Sequence, residues 1–393
     1  MRIVVAHNRY KYAGGEDSVL RAEVEMLREA GHFVELFEAD NSSIEGTLAK
    51  ISAAGSLFYS ESSRSKMAEL LRTFQADVLH IHNWFPLVSP SIIAAARERG
   101  IPVVQTLHNF RMLCVNGTMY RDGRICHDCL GKRFPLYGIA HRCYSNSFVG
   151  SALVAAAFSY HRVAHTWDGV ATFIALSEYQ RSLLIQGGID ADQIIVKPNF
   201  VKKPIEIGSG QGGYALFVGR LIPEKGIHTV LEAWSRNEIS TSLKVMGDGP
   251  LADEVREKVS SLRQVQYLGQ CSSNEVFTAM AEARFVICAS ECHEAFGLTI
   301  VEALSCGTPV LAADTASIEE IVEDGRTGFR FKAGDAEDLV AKAALLIAGD
   351  ADYQEMRRIC RAVYEERYTD SINYGLLIEI YQRAIASIQP KNA

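Results

Sequence analysis

Two glutamates separated by seven residues, Glu294 and Glu302, and two cations in one turn, Arg220 and Lys225, are suited to an anionic ligand that carries hydroxyls. The cations sit in Gly219-Arg220-Leu221-Ile222-Pro223-Glu224-Lys225-Gly226, directly after a strand-like run. A glycine there permits a sharp turn, and the two cations can converge on one phosphate group. Taken alone, the octapeptide could equally be a solvated basic turn. Gly247-Asp248-Gly249-Pro250 ends the next strand and resets the chain into a helix. In Glu294-Ala295-Phe296-Gly297-Leu298-Thr299-Ile300-Val301-Glu302-Ala303-Leu304 the helix is expected to begin between Phe296 and Leu298. That leaves the amides of Gly297, Leu298 and Thr299 as orphan donors, a ready anion site. Glu302 follows one turn below Leu298. Carboxylates cannot hold phosphate, but they accept well from hydroxyls. An anion flanked by hydroxyl-bearing groups describes a nucleoside diphosphate sugar. Without the basic turn, Glu302 would read as a surface helix residue and Glu294 as a charge favouring the helix dipole.

The first half offers fewer pointers. Gly14-Gly15 precedes a helix-period run, where backbone amides can approach a phosphate. His108 follows the strand-like IPVVQTL, and His80 and His82 end another strand. Cys114, Cys126, Cys129 and Cys143 fall in one segment with a Cys-x2-Cys core, a set able to hold a structural zinc ion, with His127 or His141 as substitute ligands. Ordinary free thiols in a loop would give the same sequence. From Arg111 to Arg162 there are seven lysines and arginines against two acids, Asp122 and Asp128. A basic cover bearing Tyr and Phe suits a phosphate-containing acceptor such as a lipid-linked sugar.

These residues need elements to hold them, and the pattern supplies two sets. Apolar runs of strand length alternate with helix-period segments, the signature of α/β domains with parallel sheets. Strands are expected at Arg2–Ala6, His32–Phe37, Asp77–Ile81, Pro102–Thr106 and Val170–Leu176, then at Tyr214–Val218, Leu243–Met246, Val265–Leu268, Phe285–Ala289 and Pro309–Ala312. A Pro/Gly/Ser-rich stretch from Lys197 to Gly213 reads as a linker. The organisation predicted is a first domain over 1–197 with a Cys-bearing insertion at 108–146, a second over 198–370, and a terminal helix over 371–393. At 393 residues, 48% apolar and 22% charged, the chain fits two globular cores. A net charge of −7 argues against nucleic-acid binding. Nine cysteines with no signal pattern ahead of the first strand suggest a cytoplasmic protein, with peripheral contact at the inner membrane face left open.

Together, the Glu294/Glu302 pair, GRLIPEKG, GDGP and the Gly14-Gly15 loop resemble a retaining glycosyltransferase of family 4. The resemblance runs through essentially the whole chain. It implies a GT-B fold, two doubly wound Rossmann-like domains facing across a cleft, with the last helix crossing back to the first domain. It implies that Arg220 and Lys225 hold the diphosphate, Glu302 the ribose hydroxyls and Glu294 the transferred sugar. Gly15, Gly297, Leu298 and Thr299 would bind the donor, and His108 would lie against its sugar as a second catalytic residue. Transfer would be front-face and need no metal. The acceptor, a saccharide or a lipid-linked sugar, is not specified. An epimerase of the same fold, or a non-catalytic sugar-nucleotide-binding module, would share the donor grip. Ala295 and Asn109 stand where the family more often has Gly and Asp.

Overall fold

In a computed structural model the described residues are 1–9, 14–202, 207–348 and 350–388. Part of the expected linker, 203–206, lies outside them. The chain divides into two compact units. The first runs from Met1 to Met119, resumes from Cys126 to Asn199 and takes up the chain again from Asn373; the second comprises Tyr120–Ile125 and Phe200–Ile372.

The first unit contains strands β1 (Arg2–Arg9), β2 (Phe33–Asp40), β3 (Val78–Ile81) and β4 (Val103–Thr106), then β7 (Thr172–Ala175) and β8 (Ile194–Val196), and between β4 and β7 the chain forms a hairpin, β5 (Tyr120–Arg121) and β6 (Arg124–Ile125). The hairpin clusters with the second unit, so the insertion at 108–146 is not one piece. The other six form a parallel sheet in the order β2-β1-β3-β4-β7-β8. The helices are α1 (Gly15–Glu29), α2 (Gly46–Ser56), α3 (Glu61–Phe74), α4 (Ser91–Arg97), α5 (Leu136–Ala140), α6 (Phe148–Val163) and α7 (Glu178–Gln186). α1 shows why local sequence suffices for such an element. The Asp17 carboxylate accepts the Gly14 amide at 2.9 Å to close its first turn, and Val19, Leu20, Val24 and Leu27 bury one face. Glu23 shares that buried face.

The second unit has β9 (Tyr214–Val218), β10 (Ser242–Met246), β11 (Val265–Gly269), β12 (Phe285–Cys288), β13 (Val310–Ala313) and β14 (Gly328–Phe331), all parallel, in the order β11-β10-β9-β12-β13-β14. Its helices are α8 (Ile227–Ser235), α9 (Ala252–Ser260), α10 (Ser273–Glu282), α11 (Leu298–Ser305), α12 (Ala336–Ala348) and α13 (Asp350–Arg367). Strand order reverses between β9 and β12, the point where open α/β sheets bind ligands beyond the strand C-termini. The final helix, α14 (Asp370–Ile388), joins the first unit from Asn373 and buries Asn373, Leu377, Ile380, Tyr381 and Ala384. Among the described residues no helix is long and apolar enough to cross a membrane.

Candidate active site

The loops after β9 and β12 flank the strand-order reversal and carry most of the expected donor site. The turn after β9 is fixed by Gly226, at φ +69°, where a Cβ would lie 2.0 Å from the Ala289 carbonyl oxygen. The glycine that the geometry requires is therefore Gly226, not Gly219, whose Cβ would meet only the Phe217 ring at 4.0 Å. The GDGP turn also does more than reset the chain. A Cβ on Gly247 would lie 1.9 Å from the Gly219 carbonyl oxygen, so the two loops touch backbone to backbone. The Leu221 amide donates to the Asp248 carbonyl at 2.9 Å, and the Glu291 amide to the Glu224 carbonyl at 2.9 Å.

Lys225, expected from the sequence to converge with Arg220 on a phosphate group, is paired with a carboxylate in this structure. Its ammonium and the Ser290 hydroxyl both donate to Oε1 of Glu294. Burial alone would push the Glu294 carboxyl up; the Lys225 ammonium and these two hydrogen bonds outweigh it and hold the group below its ordinary value. Oε2 of Glu294 remains without a partner among the described residues. Arg220 is exposed. The helix after this loop is α11, which begins at Leu298 with Gly297 as its N-cap, at the late end of the expected range. Ile300 and Val301 are buried, while Leu298, Thr299 and Glu302 are half-buried. The Glu302 carboxylate has no partner among the described residues, and burial pushes it up to about 7.

Sequence reasoning passed over Glu291. Its two oxygens accept from Thr229 at 2.8 Å and from the Tyr120 hydroxyl at 2.9 Å, which ties α8 and the β5–β6 hairpin to the loop that holds Glu294. Nothing local distinguishes this carboxylate from a surface one.

In the first unit Gly15 opens α1 and is exposed. Gly14 has an extended backbone (φ −136°), and a Cβ there would meet nothing within 4 Å, so the fold itself does not require that glycine. His108 is half-buried just after β4. Its Nε2 lies 2.9 Å from Nδ1 of His82. Glu23, His80 and His82 bring ligand atoms within 4.8 Å of one another, the only such group of three among the described residues. Lys197 Nζ already lies 3.2 Å from Oε2 of Glu23, which makes this a buried ion pair with histidines rather than a vacant cation site.

The four cysteines of the insertion are neighbours, although no three of their sulfurs are within that 4.8 Å. Burial pushes the Cys129 thiol up to about 11 against a hydrogen bond from the Gly138 amide, and Cys114, Cys143 and Cys126 add to the rise. The Lys132 amide donates to the Cys129 carbonyl at 3.2 Å and the Gly117 amide to that of Cys114 at 3.0 Å, so two tight turns present Cys114 and Cys129.

A family model described as glycosyl transferases group 1 matches residues 203–363, and one described as glycosyltransferase family 4 matches residues 13–203. Together the two models match residues 13–363, and with the two parallel-sheet units they support a GT-B glycosyltransferase of the family 4-like group. An uncharacterized glycosyltransferase of Methanocaldococcus jannaschii is 32% identical over 158 residues, 40% of this chain and 44% of that protein. A glycogen synthase of Mycobacterium tuberculosis is 26% identical over 297 residues, 74% of this chain and 64% of that one. This chain thus spans less than two thirds of the length of either. Among solved structures, Anabaena HepE in complex with UDP and glucose is similar at a TM-score of 0.67 and 18% identity, covering 97% of this chain and 100% of that one.

Proposed function

We propose that the protein transfers a sugar from a nucleoside diphosphate sugar to an acceptor hydroxyl, with retention at the anomeric carbon. The observation that carries this reading is Glu302, a half-buried carboxylate without a partner among the described residues, one turn into the helix that follows the Lys225–Glu294 pair. The ribose diol is the partner it lacks. Arg220, Lys225 and the amides of Gly297, Leu298 and Thr299 take the diphosphate, and the free oxygen of Glu294 takes a hydroxyl of the sugar. As the bond from the anomeric carbon to phosphate oxygen breaks, these cations and amides stabilise the leaving charge, and the reading assigns no metal to that step. The acceptor oxygen bonds to the same carbon on the same face, and its proton passes to the departing phosphate. His108 serves the transferred sugar, and Gly15 the diphosphate.

Thermal-shift measurements against UDP-, GDP-, ADP- and dTDP-sugars test the donor site, beginning with UDP because HepE binds it. One of them should raise the midpoint by mass action. Glu294→Gln should keep that shift and lose turnover. No shift with any of the four would overturn the reading.

For the acceptor side we propose contact with an anionic membrane surface, at the inner face of the membrane, where a lipid-linked acceptor would be met. Val149, Leu153, Tyr160 and Val163 are exposed at helical spacing on one side of α6, with Leu136 and Tyr137 of α5 exposed nearby. No carboxylate occurs between Asp128 and Asp168, while Lys132, Arg133, Arg142 and Arg162 do. Arg162 donates to the Lys132 carbonyl at 2.8 Å, which sets the basic loop beside the apolar stripe. The chain should sediment with vesicles containing phosphatidylglycerol and less with phosphatidylcholine alone. Val149→Ser, Leu153→Ser and Val163→Ser together should abolish this; unchanged sedimentation would refute the contact.

We also propose a structural zinc ion held by Cys114, Cys126, Cys129 and Cys143. The four thiols are neighbours, burial and then the other three pushing Cys129 up, and such a soft donor set suits zinc, which would stiffen the insertion. Elemental analysis should find about one zinc per chain, lost in Cys129→Ser. Metal-free protein with an unchanged melting temperature after chelation would rule it out.

A further inference from the structure

A line of hydrogen bonds runs through the first unit from buried Glu23 to half-buried His108, and its proton positions can be worked out one by one. Glu23 is 1% exposed. Its Oε1 lies 3.0 Å from Nε2 of His82, and its Oε2 lies 3.2 Å from Nζ of Lys197. The same ammonium donates to Oδ1 of Asn373 at 2.9 Å, and Nδ2 of Asn373 donates to the Pro198 carbonyl at 2.7 Å. His82 Nδ1 lies 2.9 Å from His108 Nε2. The two rings are 5.1 Å apart by centroid and within 19° of parallel, the arrangement of an in-plane contact between ring nitrogens.

The Lys197 ammonium and the histidines outweigh burial at Glu23 and hold its carboxyl well below the usual range, so it is ionised. An ionised carboxylate only accepts. His82 must therefore carry its proton on Nε2. Burial, with His80 adding to it, lowers His82 to about 4, so the ring is neutral and its Nδ1 bears a lone pair. Facing that lone pair, His108 Nε2 must donate. Burial also holds His108 neutral, which leaves the lone pair on Nδ1. Any other assignment of two neutral rings sets a lone pair against the carboxylate or the lone pairs of His82 Nδ1 and His108 Nε2 against each other. His108 Nδ1 has no partner among the described residues. Asn109 is occupied in its own turn, where Oδ1 accepts the Arg111 amide at 3.0 Å.

We propose that Glu23 and His82 are positioning residues that fix His108 as its Nε2–H tautomer, so that Nδ1 accepts a hydrogen bond from a hydroxyl of the sugar. The acceptor role rests on the assignment of His108 to the sugar made above; the tautomer does not. Glu23 and His82 touch no substrate in this scheme. They act through the imidazole, as the carboxylate does in a hydrolase triad. Lys197 and Asn373 keep Glu23 charged, which gives α14 a part in the chemistry of the other end of the line. A site that accepts from a hydroxyl also discriminates, because the deoxy or fluoro analogue at that carbon cannot donate.

The test uses the full chain labelled with 15N-histidine. Long-range 1H–15N correlation spectra report the tautomer of each ring, and His108 is assigned by the signals lost in His108→Gln. At neutral pH both His82 and His108 should show the Nε2–H pattern. An Nδ1–H pattern or an imidazolium for His108 overturns the proposal. Glu23→Gln alone leaves Lys197 buried without its counter-charge, so the informative variant is Glu23→Gln with Lys197→Met. The side-chain amide introduced there can donate or accept, so His108 should become a mixture of tautomers, with kcat lower by roughly tenfold to a hundredfold while the donor KM moves about threefold or less. A single unchanged tautomer with wild-type kcat also overturns it. Wild-type turnover by His108→Ala would instead sink the assignment of His108 to the sugar and the acceptor role with it, whichever tautomer the spectra report.

Discussion

At the scale of single residues, the two glutamates of the proposed donor site are held in opposite states. Glu294 is paired with a lysine and kept ionised, while half-buried Glu302 has no partner among the described residues and is raised to about 7. A raised carboxyl means that the folded chain retains a proton that the unfolded chain releases. Its contribution to stability therefore falls as pH rises from the ordinary glutamate range towards 7. A diol donates best to the ionised form, so nucleotide binding should release this proton. Donor affinity should climb from pH 6 to pH 8 and level off above, with proton uptake and release visible as a buffer-dependent enthalpy in calorimetry. Glu302→Gln should bind more weakly and lose the pH dependence; a Gln variant that keeps it would show that another group titrates. For the pair, Lys225→Ala should lower nucleotide affinity more than Glu294→Gln does, because it removes a phosphate contact and leaves the Glu294 charge buried.

At the scale of elements, the loops of the proposed donor site are positioned by strand order. β9 and β12 lie side by side at the reversal, so the turn after one and the loop after the other meet although about seventy residues separate them in sequence. The contact is backbone to backbone, at Gly226 against Ala289, and Gly247 in the turn after β10 meets Gly219 in the same way. Gly226→Ala should cost about 2 kcal/mol or more of stability, since it adds both left-handed strain and a clash. It should also weaken nucleotide binding by displacing Lys225, which denaturant titration and calorimetry on the same protein would separate. A variant as stable and as tight as the parent would place the constraint elsewhere.

At the scale of the whole molecule, the chain returns to its first unit after completing its second. α14 brings Asn373 to Lys197 and Tyr381 to His80, the latter at 2.7 Å. A chain truncated after Ile372 exposes a buried ion pair and an apolar face of the first unit while leaving the second intact. Hydrogen exchange should then show lost protection around β1, β3 and β8 and retained protection in β9–β13. Lys197→Met alone should destabilise by about 3–5 kcal/mol, because it leaves the Glu23 charge without its partner.

Alternation of apolar strands and helix-period runs marked both parallel-sheet units, because each element's buried face is written in its own residues. Arg220, Lys225, Glu294 and Glu302 were marked only in combination, because a basic turn together with a helix N-terminus flanked by two carboxylates suits an anion that carries hydroxyls. The sequence of α1 even carried a sign of the proton line, since Glu23 occupies a core position among Leu20, Val24 and Leu27. What it connects to, however, lies 59 residues away at His82 and 174 away at Lys197. The pairing of Lys225 with Glu294, the anchoring of Glu291 and the assignment of Gly226 rather than Gly219 as the required glycine likewise depend on which strands are neighbours. Burial, charge pairing and close approach are properties of the packed chain. Residue type and spacing can announce that a group is reactive, but only the tertiary structure decides its partner, and its partner decides which proton it holds.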